Sequence, residues 1–112
     1  MANATNAKLL RVFIGENDKF GHVPFYEAIV ELAREKHLAG TTVLRGLMGF
    51  GAHNRMHTAK VLRLNEDLPL VVEIVDTAEK LDAFAGDLET MIEEGIITLE
   101  NVQLITCRKN ND

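Results

Sequence analysis

The 112-residue sequence contains no serine and no tryptophan, one cysteine, one tyrosine and two prolines. Each shortage removes a class of function. Without serine there is no serine nucleophile, and nothing singles out a threonine beside an activating amine or base. A single cysteine, Cys107, excludes an intrachain disulfide and a multi-cysteine zinc site. The opening residues have no basic stretch followed by an apolar one, so they do not read as a secretory signal. Both features lead us to expect a reducing cytoplasm. No run approaches the roughly 18 to 20 apolar residues of a membrane-spanning helix. Aromatic residues are 5% of the chain, few to spare for stacking bases. A net charge of −5 sets the surface as a whole against nucleic acid and anionic lipid.

What is present suits one folded domain. Hydrophobic residues make up 46% of the sequence, against eight glycines and two prolines. That balance supports a core without metal or disulfide staples and excludes bulk disorder. We expect a single domain over residues 8–107, between flexible tails at 1–7 and 108–112.

The charge is unevenly spread. From Lys36 to Asn65 there is no aspartate or glutamate, while Lys36, Arg45, Arg55, Lys60, Arg63, His37, His53 and His57 all fall there. An acidic protein therefore carries one basic island. A buried strand, which has no use for acids, would account for it. So would a segment that binds an anion through Arg, Lys and backbone N–H groups.

Hydrophobic spacing predicts the elements. Leu9–Gly15 reads as a strand and Glu16–Val23 as a polar loop. Pro24 suits the first turn of a helix, with Phe25, Ala28, Ile29, Leu32 and Ala33 on its inner face and Gly40 as its stop. A second strand runs from Thr42 to about Leu47, and a third from Leu70 to Val75. Asp76 and Glu79 form a capping-box-like pair before a second helix, whose buried stripe is Leu81, Phe84, Leu88, Met91 and Ile92. Gly95 ends it, and Ile96–Thr106 gives the last strand. Strand–helix–strand twice over predicts an α+β, ferredoxin-like βαββαβ sandwich with both helices on one face. A parallel sheet would want a helix between the second and third strands, and none is offered.

In its place stands a connection of about 20 residues, Met48–Leu68, where a plain hairpin needs about two to five. Its later part, Thr58–Leu64, can extend as a strand beside Thr42–Leu47, leaving Gly49–His57 as a projecting tip. The long connection and the basic island largely coincide, which marks the region as functional.

Candidate ligand-binding residues gather there: Arg45, Gly46, Gly49, Phe50, Gly51, His53, Arg55, His57 and Lys60. Glycines let backbone N–H groups approach an anion and form nests, and the same glycines would serve a plain tight turn. Phe50, between two glycines, could stack on a ligand or pack the loop down. His53 and His57 would share a helix face and a metal, but no helix is expected and Arg55 between them opposes a divalent cation. No metal ligand and no catalytic residue is assigned. Glu66-Asp67 and Glu93-Glu94 read as structural. Glu16, Asp18 and Lys19 could assist a site, though solvation is their default. Two other functions fit the same residues: an enzyme acting on a small metabolite through His53 or His57, or a trimeric metal-binding or scaffold protein.

Several separated runs carry a resemblance. They are Arg11-Val-Phe-Ile-Gly-Glu-Asn-Asp-Lys-Phe-Gly21, Pro24-Phe-Tyr-Glu-Ala-Ile-Val30, Thr42-Val-Leu-Arg-Gly-Leu-Met-Gly-Phe-Gly-Ala-His53, Arg55-Met-His-Thr-Ala-Lys60 and Glu66-Asp-Leu-Pro-Leu-Val-Val-Glu-Ile-Val-Asp76. In this order, over about residues 8–106, they resemble an uncharacterised family related in fold to the PII signalling proteins. The resemblance implies a ferredoxin-like homotrimer that binds an adenine nucleotide between subunits. It also implies that a long loop, here about 46–68, signals ligand occupancy to a partner protein. No covalent cofactor is implied. Some members of the family lie next to fluoride-exporter-like membrane proteins, which implies a membrane channel or transporter as partner. The PII loop before the last strand contacts phosphate and is rich in Gly and Lys. Glu94–Leu99, in the same place here, is not.

Overall fold

Residues Pro69–Thr77 alternate half-buried and buried along their whole length, the pattern of a strand with one face on the core. The computed structural model that shows this describes residues 4–50, 57–58 and 67–107. In chain order its elements are β1 (Ala4–Gly15), β2 (Lys19–Phe20), β3 (Val23–Pro24), α1 (Phe25–Glu35), β4 (Gly40–Arg45), β5 (Met48–Gly49), β6 (His57–Thr58), β7 (Pro69–Thr77), α2 (Ala78–Met91) and β8 (Ile96–Ile105). Four strands form one sheet in the order β4-β7-β1-β8. Every neighbouring pair in it is antiparallel. This is the ferredoxin-like order, with each helix returning the chain to a strand of the same sheet.

The core lies between one sheet face and the two helices. Leu10, Val12 and Ile14 of β1 and Leu70, Val72 and Ile74 of β7 meet Phe25, Ile29 and Ala33 of α1 and Leu81, Phe84, Ala85 and Leu88 of α2. The helical residues recur at intervals of three and four, which places them on one stripe. Met91 and Ile92, expected in that stripe, are partly buried against it.

Four local expectations change. Residues 4–7 are the first third of β1 and pair with Val102–Ile105 of β8, so the N-terminal tail expected over 1–7 does not include them. Pro24 is the N-cap of α1 rather than part of its first turn, and pairs with Lys19 in a small hairpin. Gly21 turns that hairpin with a φ of 64°. The second helix is capped by Thr77, whose hydroxyl accepts from the Lys80 N–H, and not by Asp76. Asp76 instead continues the inward parity of Leu70, Val72 and Ile74, and is buried.

The end of α1 also differs. Gly40 opens β4, and His37 takes the left-handed position at a φ of 58°. The His37 N–H donates to the Arg34 carbonyl and the Leu38 N–H to the Ala33 carbonyl, the paired bonds of a Schellman stop. A residue with a Cβ is disfavoured there. His37→Gly is expected to stabilise the fold by about 0.5–1 kcal/mol, the left-handed penalty less the added freedom of the unfolded glycine. A urea midpoint that falls in this variant would refute the assignment.

The sheet face away from the helices is open. Register places Leu44, Val71, Phe13 and Ile96 in one row across all four strands. Leu44, Phe13 and Ile96 are 48%, 37% and 43% exposed, so the row is apolar and uncovered within one chain. The next row is Thr42, Glu73, Arg11 and Thr98. Arg11 bridges Glu73 at 2.9 Å and also pairs with Glu100. Hydrogen bonds to Glu73 first, and to Glu100 second, push the Arg11 guanidinium pKa up.

Candidate functional site

The topology gathers the loops at one end of the sheet. β4 and β1 are both antiparallel to β7, so both end where β7 begins. β8 also starts there, because its Ile96 pairs with Phe13 near the end of β1. The turn after Gly15, the residues after Arg45, the residues before Pro69 and the short connection from Ile92 to Gly95 are therefore neighbours. β4 and β1 lie about 10 Å apart across β7, two strand spacings. Long side chains on their ends can meet over Pro69.

They do meet. The Arg45 guanidinium at the end of β4 pairs with the Glu16 carboxylate just after β1. The turn carrying Glu16 is heavily braced. The Glu16 N–H donates to the Leu68 carbonyl at 2.8 Å, and the Asn17 N–H to the Asp67 carboxylate at 2.8 Å. The Gly15 N–H donates to the Asp18 carboxylate at 2.9 Å, and the Asp18 carbonyl accepts from the Phe25 N–H at 2.7 Å. A Cβ on Gly15 would lie 2.9 Å from Asp67 and 3.2 Å from Asp18. Glycine at 15 is what allows both carboxylates to fold over the strand end.

Two of the glycines expected to form an anion nest, Gly46 and Gly49, lie against proline. The Gly46 N–H donates to the Pro69 carbonyl at 2.7 Å. A Cβ on Gly46 would come within 2.9 Å of the Pro69 ring, and one on Gly49 within 3.6 Å. Neither the ring nor the backbone beside it is free to yield, so Gly46→Ala is expected to cost about 1–3 kcal/mol by overpacking. Urea unfolding would measure it, and a cost below a few tenths would show that the chain can part from Pro69 freely.

Beyond Gly46 the chain turns apolar and outward. Leu47, Met48 and Phe50 are 81%, 59% and 62% exposed. β5 and β6 then pair as a two-residue ribbon, Met48 with Thr58 and Gly49 with His57. β4 pairs with β7 along one edge, and of the strand expected over Thr58–Leu64 beside Thr42–Leu47, Thr58 pairs with Met48. Residues 59–64 of that expectation lie outside the described residues.

Of the nine expected site residues, Arg45, Gly46, Gly49 and Phe50 are brought together at the base of the connection. His57 joins them through its backbone. Gly51, His53, Arg55 and Lys60 lie outside the described residues. Glu16 was expected to be solvated, and its side chain is only 22% exposed because it lies against Arg45. Asp67, read as structural, and Pro69, the first residue of β7, are also part of this cluster. Among the described residues no group of three or more His, Cys, Asp or Glu is placed to hold a metal ion. Cys107 is exposed. No helix among the described residues is long and apolar enough to cross a membrane.

The order of strands, the two helices on one face and the long connection after the second core strand define a PII-like fold. Solved structures agree. A putative PII-like signalling protein from Thermus thermophilus matches with a TM-score of 0.67 at 14% identity, over 92% of this chain and 93% of that one. CPII, a nitrogen regulatory PII-like protein from Thiomonas intermedia K12, matches with a TM-score of 0.62 at 20% identity, over 92% of both chains. That structure holds ADP, AMP and bicarbonate. At these identities the likeness is one of fold.

The sequence places the chain more narrowly. The family model for DUF190, described as Uncharacterized ACR, matches residues 7–104. A UPF0166 protein from Aquifex aeolicus is 40% identical over 98 residues, which are 88% of this chain and 92% of that protein. The chain belongs to the DUF190 family of uncharacterised proteins.

Proposed function

We propose that this chain is a non-catalytic regulator that binds an adenine nucleotide and passes the signal to a partner protein through residues 46–68. The observation that carries the proposal is the exposed Arg45 guanidinium at the base of that connection. An exposed guanidinium suits a phosphate group, whereas the Gly46 N–H is already donated to the Pro69 carbonyl and does not form the nest the sequence leads one to expect. The nucleotides held by CPII support the choice of ligand class. His53, Arg55, His57 and Lys60 would add charge or contacts from the rest of the connection, and Phe50 would offer a ring to the base. The exposed Leu47, Met48 and Phe50 suit contact with a partner, which ligand would favour or oppose by preferring one arrangement of the connection.

The uncovered apolar row Leu44, Val71, Phe13 and Ile96 supports self-association, and three copies is the assembly we propose. Nucleotide would then sit where one subunit's site end meets its neighbour. The test is isothermal titration of the purified protein with ATP, ADP and AMP, on a sample whose mass is measured by light scattering. Micromolar binding to a trimer is the expected result. Folded protein giving no heat with any of the three would overturn the nucleotide proposal.

A further inference from the structure

We propose that the Glu16 carboxylate is a built-in occupant of the anion site: it holds Arg45 in the ligand-free protein, and a phosphate ligand binds by taking its place. This rests on Arg45 being the anion-binding residue proposed above. A guanidinium fork accepts carboxylate and phosphate through the same donors, so two anions compete for it. The two partners are unequally fixed. The Arg45 side chain is 62% exposed and that of Glu16 is 22% exposed. Glu16 also stands on the braced turn, with Gly15, Glu16 and Asn17 all donating backbone N–H groups within it or to Leu68 and Asp67. Glu16 is therefore the preorganised member and Arg45 the one able to swing away.

The turn grips both ends of the long connection. Through Glu16 and Arg45 it holds the first residues. Through the Leu68 carbonyl and the Asp67 carboxylate it holds the last ones. Withdrawing Arg45 leaves the Glu16 carboxylate on a turn that carries Asp18 and is held by the Asp67 carboxylate. Ligand at Arg45 thus removes one of the turn's two grips and leaves the Glu16 carboxylate without its guanidinium beside the other. The exchange is how occupancy at the site end would be felt at the base of residues 46–68.

Glu16→Gln keeps the shape and removes the competing charge. ATP and inorganic pyrophosphate would each be titrated into wild type, Glu16→Gln, Arg45→Ala and the double variant, with folding checked by circular dichroism. Glu16→Gln is expected to bind both probes about two- to fivefold more tightly, the range a partly exposed ion pair can supply. The gain should vanish in the Arg45→Ala background. Unchanged or weaker binding of both probes by Glu16→Gln overturns the exchange. Tighter pyrophosphate binding with no ATP heat in any protein upholds the exchange and overturns the nucleotide proposal. A ligand-free measurement decides the contact itself: Arg45 guanidinium protons, followed by NMR, should exchange with water several-fold more slowly in wild type than in Glu16→Ala. Equal rates overturn it.

Discussion

Arg45→Ala is expected to weaken adenine nucleotide binding by about 10- to 100-fold, the worth of hydrogen bonds from a guanidinium to a phosphate group. The variant should fold, because the Arg45 side chain is 62% exposed and its backbone pairing with Leu70 does not depend on it. The effect should exceed that of any other single change at the described part of the site. The Gly46 N–H is already donated to Pro69, Gly49 offers only backbone, and Phe50 a single exposed ring. Arg45→Lys separates charge from geometry. A lysine keeps the charge and loses the planar fork, so recovery of less than half the lost affinity would show that two-point recognition matters. Titration calorimetry reads both variants. Wild-type affinity in Arg45→Ala, in protein that does bind nucleotide, would place the phosphate elsewhere.

The elements were legible wherever a side-chain period ran for more than a turn or two. Leu70, Val72 and Ile74 in β7 and Leu81, Phe84 and Leu88 in α2 each recur at the period of their structure, and each is buried. The sheet order followed from an absence, because no helix separates the second and third core strands. Residues 4–7 were illegible for a physical reason. Thr5 and Asn6 are exposed, and they are held by backbone pairing with Leu104 and Gln103, which leaves no mark on side-chain pattern. The stop of α1 was misplaced because glycine is the usual left-handed residue and the chain uses His37. Arg45 stands out in sequence by its place in a basic island, and Glu16 only as a charge that could assist a site; their pairing was not legible, because they are 29 residues apart and meet only once two parallel strand ends are laid on either side of Pro69.

Asp76 sets the other large expectation. Read as a helix cap, it would be worth about 1 kcal/mol. The fold puts it one residue before the cap and 6% exposed, the one charged residue buried to this degree among the described residues. Its carboxylate accepts from the Ala39 N–H at 2.9 Å and from the Thr77 N–H at 2.6 Å, with the Lys80 ammonium at 4.0 Å. One side chain thus ties the approach to β4 to the junction of β7 and α2. Asp76→Ala removes an acceptor from two backbone N–H groups, and leaving them unmatched costs about 2–4 kcal/mol. That is a large fraction of the roughly 5–15 kcal/mol that holds a domain folded. Thr77→Ala should cost only about 0.5–1 kcal/mol, since its cap bond to Lys80 is 3.4 Å long. Urea unfolding of both variants at one protein concentration orders them, which matters because association adds to apparent stability. If the two cost the same, Asp76 acts as a second cap and the tie to Ala39 contributes nothing. If Asp76→Ala costs several-fold more, the junction between the two halves of the fold depends on that buried carboxylate.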